Sequence, residues 1–344
     1  MQTPLTHTNH APHDHRRVLT VVGPTASGKT ALAEELAVRL SGEVVTADSM
    51  QVYRGMDIGT AKPPLVTRRV VHHLIDVIDP DTAYSAALYQ TAARAAIADI
   101  ADRGKLPVLA GGTGLYVRAA LDDWAFPAGE QESARRSELE AQARDMGQAA
   151  FHAQLAAIDP ASAALIHPNN VRRVVRAFEL LSEGMSYAEH HAGFSQRLSV
   201  YDAAFIGLTM DRAHLYERID CRMDTMMNAG LLEEVRSLLR AGYREALTAS
   251  RAIGYKELVA VVDGTATLEE GVESIKIATR RYAKRQLTWF RADFRIVWID
   301  VTDSSTAATA DVALELLDSW LHAAATSGEP TRVSSTLPST STGG

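Results

Sequence analysis

The chain has 344 residues, enough for one large or two ordinary domains, and its composition (46% hydrophobic, 22% charged) is typical of globular proteins. Its single cysteine excludes an internal disulfide and a multi-cysteine zinc site and fits a reducing cytoplasm, and no apolar run approaches the roughly 18 residues of a membrane span. The net charge of −7 argues against a nucleic-acid partner for the chain as a whole, so local clusters of charge must decide that question. Residues 1–16 are polar and contain four histidines, which favours a disordered tail over a signal peptide or a metal site.

A phosphate-binding loop is the first motif of the chain. The segment Gly-Pro-Thr-Ala-Ser-Gly-Lys-Thr at 23–30 matches Gly-x4-Gly-Lys-Ser/Thr without a mismatch. Residues 18–22 predict a buried strand before it, and residues 31–40, with leucines four apart, predict a helix after it. In this context backbone amides and a helix N-terminus point at an anion, Lys29 adds a charge, and the Thr30 hydroxyl is suited to Mg²⁺. The loop is expected to bind a diphosphate or polyphosphate through Gly23, Thr25, Ala26, Ser27, Gly28, Lys29 and Thr30.

Strands and helices alternate up to about residue 122, which predicts a parallel α/β sheet with right-handed crossovers. Residues 42–47 and 106–110 predict two strands, with a helix over 85–102 between them. Asp48 follows the first of these strands, and the turn Gly-Gly-Thr-Gly at 111–114 follows the second. Because ligands bind at the carboxyl ends of parallel strands, both features are expected to face the phosphate loop.

Asp48 has three candidate roles: a general base, a Mg²⁺ ligand through water, or a helix cap. Ser49 and Gln51 beside it offer the donors and acceptors that can hydrogen-bond the edge of a base. The strand over 106–110 ends in Gly-Gly-Thr, whereas a Walker B strand ends in an acidic residue, so the ordinary NTPase interpretation is weakened. That turn either presents amides and the Thr113 hydroxyl to a ligand or is a tight turn without one.

Beyond residue 122 the alternation of strands and helices is replaced by a stretch of helices. Residues 123–199 predict a helical domain inserted into a sheet domain formed by residues 17–122 and 200–300. A terminal helix over 301–324 and a disordered, Ser/Thr-rich tail over 325–344 complete the chain. Strands are predicted at 203–210 and 295–299, and helices at 133–146, 149–158, 170–182, 212–229, 231–240 and 274–291.

Positive charge is concentrated in two of these helices. The helix over 170–182 carries three arginines close to one face, and residues 272–295 contain seven Lys or Arg against two acidic residues. Trp289 and Phe290 interleave with the second cluster. Cations with aromatic rings suit a phosphate backbone and exposed bases, whereas a solvated charged helix with core aromatics is the alternative. Two such clusters in one chain favour RNA as the partner.

The order of these motifs resembles that of the bacterial tRNA dimethylallyltransferases, also called tRNA isopentenyltransferases. The resemblance covers roughly residues 17–300, and the chain lacks the cysteines of the C-terminal zinc finger that some members carry, so it resembles the shorter bacterial form. It rests on the loop at 23–30, Asp-Ser-Met-Gln-Val-Tyr-Arg-Gly-Met-Asp-Ile-Gly-Thr-Ala-Lys-Pro at 48–63, Gly-Gly-Thr-Gly-Leu-Tyr at 111–116, His-Pro-Asn at 167–169, Ile-Gly-Tyr-Lys at 253–256 and Lys-Arg-Gln-Leu-Thr-Trp-Phe-Arg at 284–291.

The resemblance implies a P-loop NTPase-like parallel sheet core with an inserted helical domain. It also implies transfer of a dimethylallyl group from dimethylallyl diphosphate to N6 of adenosine 37 in tRNA, with Mg²⁺ as cofactor and diphosphate as the leaving group. We expect a cytoplasmic monomer that binds the anticodon stem-loop and no membrane. The alternatives are a small-molecule kinase that uses ATP and an RNA-binding NTPase switch, and both leave the segment 48–63 unexplained.

The resemblance also implies roles for single residues. Asp48 would accept the amino proton, Thr113 would lie at the reaction centre, and Lys29, Thr30 and Arg222 would stabilise the leaving diphosphate. For Arg222, a surface arginine paired with a neighbouring aspartate is the alternative. The target adenine must leave the loop stack, which costs a few kcal/mol. The tRNA is expected to contact Asp48, Ser49, Met50, Gln51, Thr113, Arg172, Arg173, Arg176, Arg251, Gly254, Tyr255, Lys256, Lys284, Arg285, Gln286, Trp289 and Arg291.

Overall fold

A computed structural model describes residues 14–124, 126 and 134–323 of the chain. Within these ranges six strands form one all-parallel sheet in the order β3-β2-β4-β1-β5-β6. The order places β1 between β4 and β5, so the loop that follows β1 is flanked by the carboxyl ends of its neighbours. The strands are β1 (Asp14–Val22), β2 (Gly42–Ala47), β3 (His72–His73), β4 (Leu106–Gly111), β5 (Tyr201–Thr209) and β6 (Ile296–Asp300).

Helices cover both faces of the sheet, because alternate residues of each strand point to opposite faces. Leu19 and Val21 of β1 pack in one apolar cluster with α1 (Lys29–Arg39) and α13 (Thr306–Ala323). Val18 and Val22 pack in the other cluster, with α2 (Ala86–Asp102) and α3 (Gly114–Leu121). The fold is therefore the three-layer α/β arrangement that the sequence predicts.

A stretch composed only of helices lies between α3 and β5. It has an apolar core of its own around Phe151, Leu155 and Val174, which are fully buried. It falls within the predicted insert of residues 123–199, whose limits stay a prediction. Its helices are α4 (Ala134–Met146), α5 (Gln148–Ile158), α6 (Pro160–Leu165), α7 (Val171–Ser182) and α8 (Tyr187–Ser195), and those after β5 are α9 (Arg212–Asn228), α10 (Leu231–Arg240), α11 (Tyr255–Val262) and α12 (Leu268–Arg291).

Buried ion pairs fasten the chain where it leaves and re-enters the sheet domain. Asp122, at the end of α3, accepts from Arg118 at 2.6 Å and from Arg295 at 2.6 Å. The next residue, Asp123, donates its backbone N–H to the carbonyl of Leu198 on the returning segment. These contacts fix the base of the helical stretch against the sheet, since buried charges are stable only when paired.

Several sequence predictions differ from the structure. The predicted tail of residues 1–16 is wrong for 14–16, because β1 begins at Asp14, which pairs with Tyr201 of β5. Residues 1–13 and the predicted tail over 325–344 lie outside the described residues. The terminal helix begins at Thr306, since Thr302 turns the chain by donating to the carboxylate of Asp300. Neither the short edge strand β3 nor the helices α6, α8 and α11 were predicted. Over the described ranges, no helix is both long enough and apolar enough to traverse a lipid bilayer.

The loop after β2 is anchored by Glu234 of α10. Its carboxylate accepts from the backbone amides of Asp57, Ile58 and Gly59 at 3.1, 2.8 and 3.2 Å. It also accepts from the Tyr255 hydroxyl at 2.6 Å. The loop carries the segment 48–63 and begins at Asp48, so this anchor supports the cavity described below.

We expect Glu234→Ala to lower the free energy of unfolding by about 1–3 kcal/mol, because it leaves three amides and a buried hydroxyl without their acceptor. Chemical denaturation followed by circular dichroism measures the loss. Glu233→Ala is the matched control, since Glu233 is an exposed neighbour on the same helix. Equal stability of the two variants would show that Glu234 does not anchor the loop.

Candidate active site

A cavity of about 950 Å³ opens at the carboxyl ends of β1, β2 and β4. The phosphate loop, the loop after β2, and helices α9 and α12 form its walls. Of the predicted site residues, those that line it are Thr25, Ala26, Gly28, Lys29, Thr30, Asp48, Ser49, Met50, Gln51, Arg222, Arg251, Gly254, Lys256, Arg285 and Gln286. Those outside its lining are Gly23, Ser27, Thr113, Arg172, Arg173, Arg176, Tyr255, Lys284, Trp289 and Arg291.

The phosphate loop has the backbone geometry that its glycines allow. Gly28, with φ of 92°, lies in the left-handed region and precedes the first residue of α1. Arg218 of α9 donates from Nε to the carbonyl of Ala26 at 2.8 Å and so fastens the loop from the opposite side. Two positive groups therefore face the cavity here: the N-terminus of α1 and the side chain of Lys29.

Two desolvated cations face the cavity. The pKa of Lys29 is lowered to about 8, mainly by burial; the charge of Asp48 opposes this shift and that of Arg222 contributes to it. Burial also lowers the pKa of Arg222, against the charge of Asp48. The alternative for Arg222 is wrong, because both neighbouring aspartates bind elsewhere: Asp220 pairs with Arg280 and Asp224 with Lys276. An anion between Lys29 and Arg222 would restore the charge interactions that burial removes.

Asp48 lies at the end of β2 and its carboxylate is oriented by the backbone. Its Oδ1 accepts from the amides of Met50 at 2.9 Å and Gln51 at 3.3 Å. Within the described residues no hydrogen bond is made by its Oδ2. One oxygen is thus fixed by the turn while the other is available to a ligand in the cavity, which suits a base that must be held in place.

Thr113 ties the ends of β2 and β4 together. Its backbone N–H donates to the carbonyl of Ala47, and its Oγ1 accepts from the Ser49 amide at 3.1 Å. The hydroxyl of Tyr282 hydrogen-bonds with Thr113, and burial, aided by the charge of Asp48, raises the pKa of Tyr282 to about 12. Thr113 therefore acts on the cavity through Ser49 and Tyr282, without lining it.

Gln286 of α12 connects the phosphate loop to the turn after β4. Its Oε1 accepts from the Thr25 amide at 2.8 Å, and its Nε2 donates to the carbonyl of Gly112 at 2.9 Å. Only glycine fits at 112, because a Cβ there would lie 2.2 Å from Nε2. The Gln286 side chain is buried and its amide is used inside the protein, and its predicted tRNA contact stays a prediction.

We expect Gln286→Leu to raise KM for the diphosphate substrate about tenfold, because the Thr25 amide and the Gly112 carbonyl lose their partner and the loop loses its support. Steady-state kinetics measures the change. Thr288→Ala is the control, since Thr288 is exposed on the same helix and, among the described residues, its hydroxyl bonds only the carbonyl of Lys284. An unchanged KM would contradict the bridging role.

Two further residues predicted to contact tRNA have side chains that are engaged inside the protein, and their tRNA contacts stay predictions. Tyr255 is fully buried, with its ring against Gly59 and its hydroxyl on Glu234. Gln51 reaches the cavity, but its Nε2 donates to the carbonyls of Thr60 and Ala61 and is not free to read a base. Both side chains hold the loop after β2 in shape.

The predicted arginine clusters lie on α7, in the segment before α11 and on α12. Arg172 and Arg173 are exposed on α7, whereas Arg176 pairs with Glu179 at 3.1 Å. Arg172 and Arg251 line a second cavity of about 570 Å³ between α4, α7 and the segment before α11. Burial, then the charge of Arg172, lowers the pKa of Arg251. On α12, Lys284, Arg285, Trp289 and Arg291 are exposed, with the Trp289 ring over Gly114.

Among the cavity residues that the sequence prediction did not name are three with polar or charged side chains that bear on the site: Arg218, Tyr282 and His72. Helical spacing contains a signal for two of them, since Arg218 lies four residues before Arg222 and Tyr282 four before Gln286. No pattern points to His72, because β3 has only two residues.

A magnesium site made of protein side chains alone is not present in the described part of the chain, where no group of three or more His, Cys, Asp and Glu is placed to hold a metal. Thr30 does line the cavity beside Lys29. Mg²⁺ is commonly held by one or two protein oxygens together with substrate phosphates and water. The residues present therefore fit a magnesium ion that arrives with its diphosphate.

Two family profiles and many known proteins match this chain. The IPP transferase family profile matches residues 51–293, and the isopentenyl transferase profile matches residues 16–70. A tRNA dimethylallyltransferase of Geobacillus kaustophilus is 48% identical over 85% of this chain and 93% of its own length. The enzyme of the same name from Bacillus subtilis is 48% identical over 83% of this chain and 91% of its own length.

Solved structures give the same result. The tRNA isopentenylpyrophosphate transferase of Bacillus halodurans matches with a TM-score of 0.68 and 43% identity over 90% of this chain and 98% of that one. A eukaryotic dimethylallyltransferase acting on tRNA matches with a TM-score of 0.78 and 27% identity, over 90% of this chain and 80% of that one.

Proposed function

This chain belongs to the IPP transferase family, and from that premise we propose that its cavity transfers the dimethylallyl group of dimethylallyl diphosphate to N6 of adenosine 37 in tRNA. The enzyme prenylates tRNA. The proposed reaction at N6 of adenosine 37 depends on one observation: Lys29, Arg222 and Asp48 all line one cavity at the phosphate loop. It combines an anion site for a diphosphate with a carboxylate that can take a proton.

The proposed reaction forms a bond between N6 and C1 of the allylic chain and breaks the bond between C1 and the diphosphate oxygen. The diphosphate leaves with the electron pair, and the amino proton goes to Oδ2 of Asp48. An adenine amino group is a weak nucleophile, so the barrier depends on stabilising the leaving group. Lys29, Arg222 and the loop amides do this by electrostatics, and no ATP hydrolysis is required.

Magnesium is the proposed cofactor, and the Thr30 hydroxyl would hold it together with the phosphate oxygens of the substrate. When bound, Mg²⁺ neutralises negative charge on the diphosphate oxygens. Thr113 and Gln286 keep the walls of the cavity in place, since they tie the strand ends and the phosphate loop to each other. The adenine is held between Asp48 and the exposed face of α12.

A transfer assay tests the reaction. We expect purified protein, Mg²⁺ and labelled dimethylallyl diphosphate to label a tRNA that carries adenosine at position 37. No label is expected in an otherwise identical tRNA with guanosine there, or with ATP alone. Release of phosphate from ATP without label in the RNA would contradict the proposal and favour a small-molecule kinase.

The anticodon stem-loop is proposed to lie across α7, the segment before α11 and α12. Exposed arginines from the helical stretch and the sheet domain meet there, which suits a phosphate backbone. The described residues of one chain supply every group of the proposed site, so a monomer suffices. A cytoplasmic location is proposed because tRNA and a reduced Cys221 both fit that compartment.

We expect the double variant Arg172→Ala/Arg251→Ala to weaken tRNA binding about tenfold and to reduce the salt slope of log K by about 1–2, since each phosphate contact releases counterions. Filter binding across a range of salt concentrations measures both. Arg236→Ala/Arg240→Ala is the control, because these exposed arginines lie on α10. An unchanged salt slope would show that the tRNA backbone does not contact Arg172 and Arg251.

A further inference from the structure

Lys62 is a buried cation at the end of the segment 48–63. Its side chain is only 4% exposed, and its Nζ donates to the carbonyl of Tyr53 at 2.5 Å and to Oδ1 of Asp57 and Asp76 at 2.8 and 2.5 Å. A lysine ammonium has three donors, so all of them are used inside the protein. Lys62 lies outside the lining of the cavity. It can therefore affect a ligand there only through the residues that it holds.

A path of hydrogen bonds leads from Lys62 to Asp48. Oδ1 of Asp76 accepts from the ammonium, and the backbone N–H of Asp76 donates to the carbonyl of Gln51 at 3.1 Å. The N–H of Gln51 then donates to Oδ1 of Asp48 at 3.3 Å. Three bonds thus join the buried ammonium to the carboxylate that is proposed to take the amino proton.

The two ends of the segment meet at the cavity. Residues 48–51 and 59–61 both line it. The side-chain Nε2 of Gln51 joins them by donating to the carbonyl of Thr60 at 3.0 Å. Lys62 follows two residues after Thr60, so a displacement of Lys62 would reach the cavity from both ends of the segment.

The backbone around Lys62 is strained. Ala61, Leu74 and Asp76 have φ of 50°, 64° and 57°, in the left-handed region that disfavours residues other than glycine. Ala61 precedes Lys62 in the chain, and Asp76 accepts from its ammonium. Backbone in such conformations persists only where the surrounding structure holds it. The ammonium of Lys62 provides this support, because it binds three separate parts of the chain at one point.

We propose that Lys62 is a positioning residue: its buried ammonium holds the strained segment so that Oδ2 of Asp48 stays where the amino proton arrives. The inference rests on the proposed function and adds to it a residue that does not touch the substrate. Because proton transfer depends on the position of the base, loss of the ammonium is expected to lower kcat. Binding of the diphosphate depends on the phosphate loop instead, so its KM should change little.

The test combines Lys62→Met with Asp48→Asn. Lys62→Met removes the ammonium and keeps most of the length of the side chain. We expect it to lower the single-turnover rate of tRNA labelling about 10–10²-fold, with KM for dimethylallyl diphosphate close to that of the wild type. Added to Asp48→Asn it should cause little further loss, since the base that it positions is already gone. A purely structural role would lower the rate by the same factor with and without Asp48→Asn.

Asp76→Asn is a milder variant of the same path. It keeps an oxygen that can accept from Lys62, and it keeps the backbone bond to Gln51. We expect it to fold even where Lys62→Met does not, as circular dichroism would show. Its loss of rate should be smaller than that of Lys62→Met and should also disappear when Asp48→Asn is present.

Lys105→Met is the matched control. Lys105 is also paired, with Oε1 of Glu43 at 2.7 Å, but it lies before the first residue of β4, at the opposite edge of the sheet from the cavity. Its rate should equal that of the wild type. An unchanged rate for Lys62→Met, or an equal loss with and without Asp48→Asn, would overturn the positioning role. If the wild type labels no tRNA, the proposed function itself fails.

Discussion

Asp48→Asn is expected to lower kcat for prenyl transfer by about 10²–10⁴-fold and to leave the affinity for tRNA nearly unchanged. An asparagine preserves the Oδ1 acceptor for the amides of Met50 and Gln51, so the turn after β2 keeps its shape. It cannot accept the proton that the amino group releases. Single-turnover kinetics with saturating tRNA measures the rate, and filter binding measures the affinity.

Comparing Asp48→Ala with Asp48→Asn separates two functions of Asp48: accepting the proton and shaping the turn after β2. It removes the proton acceptor and also the acceptor that shapes the turn, so we expect a loss of stability in addition to the loss of rate. If Asp48→Asn retained most of the activity, the general-base role would be wrong and the carboxylate would matter only for the turn. If both variants lost tRNA affinity in proportion to rate, Asp48 would bind the RNA rather than move a proton.

The position of the cavity follows from rules that need only the sequence. The phosphate-loop motif fixes where α1 begins, and a parallel sheet brings the carboxyl ends of its strands to one edge. That rule predicts that Asp48 and the turn at 111–114 lie at the carboxyl ends of two strands. In the structure, β2 ends at Ala47 and β4 ends at Gly111. These features lie within a few residues of recognisable strands, so local pattern suffices for them.

Local sequence does not reveal which polar residues support the fold. Tyr255 and Gln286 lie in segments with basic neighbours and look like RNA contacts, yet the structure buries both and uses their polar atoms on Glu234, Thr25 and Gly112. Gln286 is 261 positions from Thr25 in the chain. A contact over that distance depends on how α12 crosses the sheet, which no local periodicity encodes. Local sequence therefore predicts which strand ends border the cavity, but not the long-range contacts that support them.

Lys29→Met is expected to lower kcat/KM for dimethylallyl diphosphate by about 10²–10³-fold, because it removes a desolvated charge from the site of the leaving group. Methionine keeps most of the length of the side chain and its packing. Both kcat and KM should change, since the diphosphate is already an anion when it binds and gains further charge as it leaves. The affinity for tRNA should stay near that of the wild type.

Variants of Arg222 test whether Lys29 and Arg222 bind the same anion. The charges of Lys29 and Arg222 already affect each other, and both are desolvated, so a single anion between them would couple their contributions. We therefore expect the double variant Lys29→Met/Arg222→Met to lose less than the product of the two single losses. Strictly multiplicative losses would place the two cations on separate groups, and Arg222 would then belong to the RNA side of the cavity. The charges of Lys29 and Arg222 already interact across the cavity, so one diphosphate that contacts both is expected to couple their contributions.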